Sequence, residues 1–141
     1  MKSGLKAAAV AVALVGVGGA SFSRPAAAQQ ITHGCACLHN QTQAQISYRY
    51  KWGDGEWKTT SLRPGYQTAL CWQYANAQRS SPDLVFELDV DMSKGSAWTK
   101  YAIARVQTAG NSCAQVGNGG HYNVSYRPNT NNGFIHITKR N

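Results

Sequence analysis

The chain has 141 residues, with 14 lysines and arginines against 6 aspartates and glutamates, a formal net charge of +8 at pH 7. That length supports one domain with one hydrophobic core, and no repeat or linker divides it. Beyond the first 28 residues no segment supplies the roughly 20 apolar residues of a membrane-spanning helix, so we expect no membrane span.

The first 28 residues have the organisation of a cleavable export signal. Lys2 and Lys6 begin it, an uncharged stretch of Ala, Val, Leu and Gly follows, and Ala26-Ala27-Ala28 offers a small-residue cleavage site. We therefore expect residues 29–141 to form a single domain in the periplasm or outside the cell. Three basic residues leave with the signal, which lowers the net charge from +8 to +5. An excess of this size suits an anionic surface, although solubility alone also accounts for it.

A first strand is predicted at residues 32–39, where histidine or cysteine recurs at every second position. The side chains that share one face of this strand are His33, Cys35, Cys37 and His39. A bond between Cys35 and Cys37 would be strained, so each is expected to pair with Cys71 or Cys113 in an exported domain. We favour Cys35 with Cys71 and Cys37 with Cys113, and the spacing leaves the exchanged pairing open.

The same four side chains carry soft ligand atoms that suit Zn²⁺ or Cu⁺. Successive positions on one face of a strand lie about 7 Å apart, however, so one ion cannot be held by all four without a bend. Oxidation also removes both thiolates. We therefore assign no metal site and no cofactor, and a periplasmic metal-binding protein remains an alternative function.

A β-hairpin is predicted around Asp54-Gly55, which lies between two alternating stretches. With these two residues as the turn, Trp52 pairs with Trp57. That register places the aromatic side chains of the hairpin on one face. The basic side chains on its other face are Arg49, Lys51 and Lys58. Such segregation argues against a nucleic-acid platform, in which aromatic and basic residues are interleaved.

Another alternating strand is predicted at residues 84–91. Its apolar face is Leu84, Phe86, Leu88 and Val90, and its solvent face is Glu87, Asp89 and Asp91. A four-residue turn would place Asp89 opposite Lys100 on a following strand at residues 98–107. Residues 89–95 begin like a calcium loop, but Lys94 stands where a glycine is needed, so the exposed face of a strand is the simpler interpretation.

The remaining predicted elements are strands around residues 68–74, 121–126 and 134–139 and a loop at residues 108–120. Short strands at this spacing favour an all-β fold, an antiparallel β-sandwich of seven to eight strands stapled by two disulfides. A small β-barrel is the alternative.

A block of motifs resembles a small module of unknown function in exported bacterial proteins, sometimes appended to caspase-like peptidases. The motifs are Asn40-Gln41-Thr42, the stretch from Tyr48 to Trp57, Arg63-Pro64-Gly65 and Ser81-Pro82. The resemblance covers most of the chain after the export signal. It implies an accessory or binding role and no catalytic residue.

We find no enzyme signature, and we expect a binding domain for carbohydrate or another anionic envelope component. The candidate ligand-binding residues are Trp57, Trp98, Arg49, Lys51 and Lys58. Tryptophans beside turns are expected to be exposed, and aromatic rings stack on sugars while cations attract anionic groups. A secreted protein-interaction or inhibitor domain that presents the loop at residues 108–120 is a second hypothesis.

Overall fold

The computed structural model describes residues 30–75 and 79–140. The predicted export signal at residues 1–28 and its cleavage site lie outside the described residues. No helix in the described part of the chain is long and apolar enough to cross a membrane.

The described residues form nine strands in two sheets. In chain order the strands are β1 His33–Asn40, β2 Ile46–Trp52, β3 Lys58–Leu62, β4 Gln67–Gln73, β5 Leu84–Asp89, β6 Trp98–Tyr101, β7 Val106–Thr108, β8 His121–Tyr126 and β9 Ile135–Lys139. The first sheet has the order β4-β1-β8-β9, with β7 also paired to β1, and the second has the order β3-β2-β5-β6. The sheets pack together, which confirms the predicted β-sandwich, although β1 and β8 pair in parallel where an antiparallel arrangement was predicted.

The strand predicted at residues 98–107 is divided in the structure. Its first part, β6, pairs with β5 in the second sheet, and its last part, β7, pairs with β1 in the first sheet. Residues 102–105 cross between the sheets, and buried Ile103 anchors the crossing in the core. This division gives nine strands where the sequence predicts seven to eight.

The core lies between the sheets and is built by the alternation of each strand. Its fully buried side chains include Leu38, Ile46, Phe86, Leu88, Val124 and Ile135. The apolar face predicted for residues 84–88 is therefore confirmed. Side chains at the intervening positions point to the outer faces of the two sheets.

Both faces of strand β1 contribute side chains that stabilise the fold. Its inner face adds Ala36 and Leu38 to the core, while Cys35 and Cys37 point outward. Cys35 is bonded to Cys71 on β4, and Cys37 is bonded to Cys113, the first residue of a short 3-10 helix, Cys113–Gln115, between β7 and β8. The favoured pairing is confirmed, and two disulfides in a domain of this size indicate an oxidising, exported environment.

A buried asparagine joins the two sheets at the end of β1. The amide nitrogen of Asn40 donates to the carbonyls of Ala44 and Leu62, each at 2.9 Å, and its oxygen accepts from the backbone N–H of Thr42 at 2.9 Å. Leu62 belongs to β3 in the second sheet. Every polar atom of the buried amide has a hydrogen-bond partner. Asn40 therefore joins the sheets without leaving a buried polar group unsatisfied.

The hairpin of β2 and β3 has a different register from the predicted one. Tyr50 pairs with Lys58 and Arg49 with Thr59, so Trp52 does not pair with Trp57. The turn takes in Gly53, which has a φ of 58° and donates its N–H to the carbonyl of Asp83. A shift of one residue moves every side chain of one strand to the opposite face. Trp57 therefore lies on the outer face of the second sheet, and Lys58 does not.

The register of β5 and β6 differs from the predicted one by two residues. Glu87 lies opposite Lys100, and Asp89 lies opposite Trp98. A shift of two residues leaves every side chain on its predicted face, so this change has little effect on the surface.

Asp89 is fully buried, which corrects its assignment to the solvent face. Its carboxylate accepts the backbone N–H of Gly95 at 2.8 Å and of Ala97 at 3.3 Å, and the hydroxyl of Ser93 at 3.3 Å. These donors come from the turn between β5 and β6. Asp89 thus organises this turn from within, as a satisfied buried carboxylate.

We expect Asp89→Ala to lower the free energy of unfolding by about 2–4 kcal/mol, because charge-assisted hydrogen bonds are lost and partly buried N–H groups are left without acceptors. Asp89→Asn keeps one acceptor and should show a smaller loss. Urea unfolding followed by circular dichroism measures both. Asp54→Ala, in the exposed hairpin turn, is the control; a loss of equal size in that variant would contradict the role of Asp89.

Candidate functional site

The outer face of the second sheet brings together four of the five predicted ligand-binding residues. Arg49 lies on β2, Trp98 on β6, and Trp57 immediately before β3, while Lys51 follows Arg49 on the same side of β2. Inward-pointing neighbours such as Tyr48 alternate with them along the strands. The corrected hairpin register is what places Trp57 among the basic residues.

Arg49 lies between two indole rings. Its guanidinium carbon is 4.5 Å from the ring centroid of Trp57 and 4.8 Å from that of Trp98. In addition, its Nε donates to the carboxylate of Glu87 at 2.6 Å. Each cation–π contact of this kind stabilises by about 0.5–1 kcal/mol at an exposed site and more when it is desolvated. We call this arrangement the Trp57–Arg49–Trp98 ladder.

The ladder changes the role predicted for Arg49. Its charge is balanced by Glu87 and its guanidinium lies within cation–π distance of both indoles, so we assign it to positioning the tryptophans and not to binding an anion. Trp57 remains 36% exposed. The ammonium of Lys51 lies 5.0 Å from the ring of Trp57, at the edge of the ladder.

The indole of Trp98 packs closely against the backbone of Gly95 as well as lying beside Arg49. A Cβ atom at Gly95 would come within 3.3 Å of the Trp98 ring, and the φ of Gly95 is +105°. Only glycine combines that backbone conformation with such a close approach. Trp98 is therefore partly buried against the turn that Asp89 organises.

Lys58 lies apart from the other predicted residues. Its ammonium is 6.0 Å from the ring centroid of Tyr50, on the opposite side of the hairpin from Arg49. The other two tryptophans, Trp52 and Trp72, pack against each other with centroids 5.7 Å apart in contact with the core. The aromatic surface thus consists of Trp57 and Trp98 alone among the tryptophans.

A shallow polar groove of about 610 Å³ lies on the same sheet. Its lining residues are Gln45, Ser47, Thr59, Thr60, Ser61, Met92 and Lys94. Ser47 pairs with Ser61 and Arg49 with Thr59, so the groove continues the row of the ladder along β2 and β3. Sequence reasoning missed these hydroxyl groups, and the outward alternation of β2 with the correct β3 register would have found them.

The loop predicted to present a protein-binding surface packs against the outer face of the first sheet. Cys113 and Val116 are buried there, and Thr108 donates its hydroxyl to the carbonyl of Gln115 at 2.6 Å. Its central residues are therefore held down by a disulfide, an apolar contact and a hydrogen bond.

The four histidine and cysteine side chains of β1 do not gather around one point. His33 contacts the hydroxyl of Thr32, whereas His39 lies beside Cys37 and contacts His121 on β8. Burial lowers the pKa of His39 below its ordinary value, with smaller contributions from Arg140 and His121. All four cysteines are in disulfides, so no thiolate of the oxidised protein is available to a metal.

The chain matches no family model, no curated protein and no solved structure. The resemblance to a module of exported bacterial proteins therefore remains a prediction from its sequence motifs.

We expect Arg49→Ala to lower the free energy of unfolding by about 1–3 kcal/mol, because two cation–π contacts and a partly buried ion pair are lost. Trp57 should also become more accessible, which acrylamide quenching of tryptophan fluorescence measures.

Arg63→Ala is the matched control for this variant. The Arg63 guanidinium lies 4.9 Å from the ring of exposed Tyr66, and among the described residues it forms no ion pair. We expect a loss below about 0.5 kcal/mol there. Equal losses in the two variants would show that Arg49 has no special role.

Proposed function

We propose that the protein is an exported, non-enzymatic binding domain that recognises acidic carbohydrate of the cell envelope through the outer face of its second sheet. The observation that carries the proposal is the Trp57–Arg49–Trp98 ladder, which holds an exposed indole in a fixed position on a rigid sheet. The periplasm or the cell exterior is the corresponding location.

A fixed indole is suited to a sugar ring. Stacking of a pyranose on Trp57 buries apolar surface on both partners, and little conformational freedom is lost because Arg49 already holds the ring. The neighbouring groove supplies the second requirement of sugar recognition, since its hydroxyl and amide groups can exchange hydrogen bonds with sugar hydroxyls. Because Trp57 and the groove are adjacent, one sugar of a chain can stack on the indole while the next exchanges hydrogen bonds with the groove.

The charge around the ladder favours an acidic ligand. Lys51, Lys94 and Lys100 lie on this side of the second sheet, and none forms an ion pair among the described residues. Two of the acidic side chains nearby are already engaged, Glu87 by Arg49 and Asp89 by the donors of its turn, whereas Glu56, next to Trp57 in the chain, is exposed. Uncompensated lysines thus attract carboxylate or phosphate groups on a glycan.

The same engagement of Glu87 and Asp89 supports a binding role over a hydrolytic one. Glycoside hydrolysis needs two carboxyl groups that face each other across the bound sugar, one of them free to donate a proton. Neither Glu87 nor Asp89 is free in that way.

A nucleic acid is the competing ligand. Trp57 and Trp98 share a face with Arg49 and Lys51, so aromatic and basic residues are interleaved on this surface, unlike in the predicted hairpin. Carbohydrate is favoured because the central cation of the row is neutralised by Glu87 and because hydroxyl-bearing side chains line the adjacent groove. A binding experiment separates the two.

We expect the protein to bind acidic envelope polysaccharides in preference to neutral ones, and Trp57→Ala with Lys51→Ala to weaken that binding at least about tenfold, a loss of about 1.4 kcal/mol. A glycan array followed by calorimetry with the strongest ligand measures this. Single-stranded DNA is titrated in parallel.

Tyr66→Ala is the control, because Tyr66 is 55% exposed and belongs to the contact with Arg63 rather than to the ladder. Its binding should equal that of the unmodified protein. Unchanged glycan binding in the double variant would overturn the proposal, as would tight binding of single-stranded DNA without any glycan binding.

A further inference from the structure

A second cluster of polar side chains lies on the outer face of the first sheet, beside the disulfide-pinned loop. His39 is two residues from Cys37 on β1, and His121 on β8 pairs in register with Cys37. Nε2 of His39 lies 3.3 Å from the Cys37 sulfur and 2.9 Å from Nδ1 of His121. The Cys37 sulfur is bonded to Cys113. Three potential metal ligands, on Cys37, His39 and His121, therefore have ligand atoms within 4.8 Å of one another, and Cys113 is joined to the first of them.

The orientation of His121 is set by a backbone carbonyl. Its Nε2 lies 2.8 Å from the carbonyl oxygen of Val116, and a carbonyl oxygen only accepts, so Nε2 carries the hydrogen. In the neutral ring Nδ1 then holds a lone pair directed at the cluster. Metal-binding histidines are commonly oriented in this way, by a hydrogen bond from the nitrogen that does not bind the metal.

We propose that reduction of the Cys37–Cys113 disulfide creates a Zn²⁺ site made of Cys37, Cys113, His39 and His121. Two thiolates and two imidazoles form one of the common ligand sets of tetrahedral zinc. The ion and the disulfide are alternatives, because each uses the same two sulfur atoms.

The distances in the oxidised protein are close to those that zinc needs. Tetrahedral zinc with ordinary bond lengths places its two nitrogens about 3.3 Å apart, and a sulfur and a nitrogen about 3.6 Å apart. The observed separations of 2.9 Å and 3.3 Å differ from these values by less than about half an ångström. The larger movement is the parting of the two sulfurs to about 3.8 Å. It falls on Cys113, which begins the short 3-10 helix Cys113–Gln115 and must also move toward the two histidines, and not on Cys37, which is fixed within β1.

The chemistry of the switch balances with a dithiol as the reductant. The dithiol gives two electrons and two protons to the disulfide and becomes a cyclic disulfide, while Cys37 and Cys113 become thiols. Zinc then binds both sulfurs as thiolates and releases two protons to solvent. In the reverse direction the cyclic disulfide takes two electrons from the thiolates and two protons from solvent and becomes the dithiol again, while the Cys37–Cys113 bond re-forms and the ion is expelled. Partly exposed His39 provides the side of the cluster that faces solvent.

Cobalt reports such a site directly, because thiolate ligands give charge-transfer absorption and tetrahedral coordination gives intense visible bands. The protein is reduced with a dithiol, desalted without oxygen and titrated with Co²⁺, after which Zn²⁺ is added to displace it. We expect one equivalent to bind, and no thiolate absorption in the oxidised protein.

Paired variants distinguish this site from the other disulfide. Cys35→Ser with Cys71→Ser should keep the cobalt spectrum, and Cys37→Ser with Cys113→Ser should lose it. His39→Ala and His121→Ala should each weaken binding at least about tenfold. His33→Ala is their control, since His33 lies on the same face of β1 but contacts Thr32, and its affinity should not change.

Where the reduced protein unfolds without metal, Zn²⁺ is expected to restore its circular dichroism, because metal binding then supplies folding free energy. Absence of the thiolate absorption together with no recovery of structure would overturn the proposal. Equal cobalt affinity in the His39→Ala, His121→Ala and His33→Ala variants would overturn it as well.

Discussion

The alternation of side chains along β1 is the constraint on which the rest of the structure depends. The inner face of this strand supplies core residues, and its outer face supplies one cysteine of each disulfide. The strand ends in Asn40, which joins the sheets. Its backbone also pairs with three strands, β4, β7 and β8. Since every second residue has a different task, a shift of one position would expose Leu38 and bury His39.

The ladder shows how a single turn decides the chemistry of a surface. Participation of Gly53 in the hairpin turn shifts β3 by one residue, and this shift brings Trp57 beside Arg49 and removes Lys58. The second sheet then has a neutralised cation at its centre and indoles on both sides of it, surrounded by lysines that form no ion pair within the described part of the chain. Such a surface is stiff, and it is less positively charged than its number of basic residues suggests.

Much of the fold was predictable because it follows from local periodicity and from cysteine chemistry. The two-sheet architecture, the buried face of residues 84–88 and the disulfide partners of Cys35 and Cys37 all follow from those patterns. The burial of Asp89 and the division of the strand at residues 98–107 depend on contacts between distant segments, which alternation does not report. The sequence named the candidate ligand-binding residues but placed Trp57 on the face opposite Arg49 and Lys51. Their gathering and the groove hydroxyls required the register of β3, and the position of Glu87 beside Arg49 required the pairing of β2 with β5.

When the unfolded chain oxidises, Cys71 can form a disulfide with either Cys35 or Cys37. Cys71 is 36 residues from Cys35, and its separation from Cys37 is only two residues shorter. Loop-closure entropy depends on the logarithm of length, so an unstructured chain meets both partners almost equally often. Choice of the native partner therefore has to come from pairing of β1 with β4, where Cys35 lies directly opposite Cys71. We infer that correct oxidation follows strand assembly, because an early bond between Cys37 and Cys71 would leave Cys113 to bond with Cys35, two residues from its native position on β1.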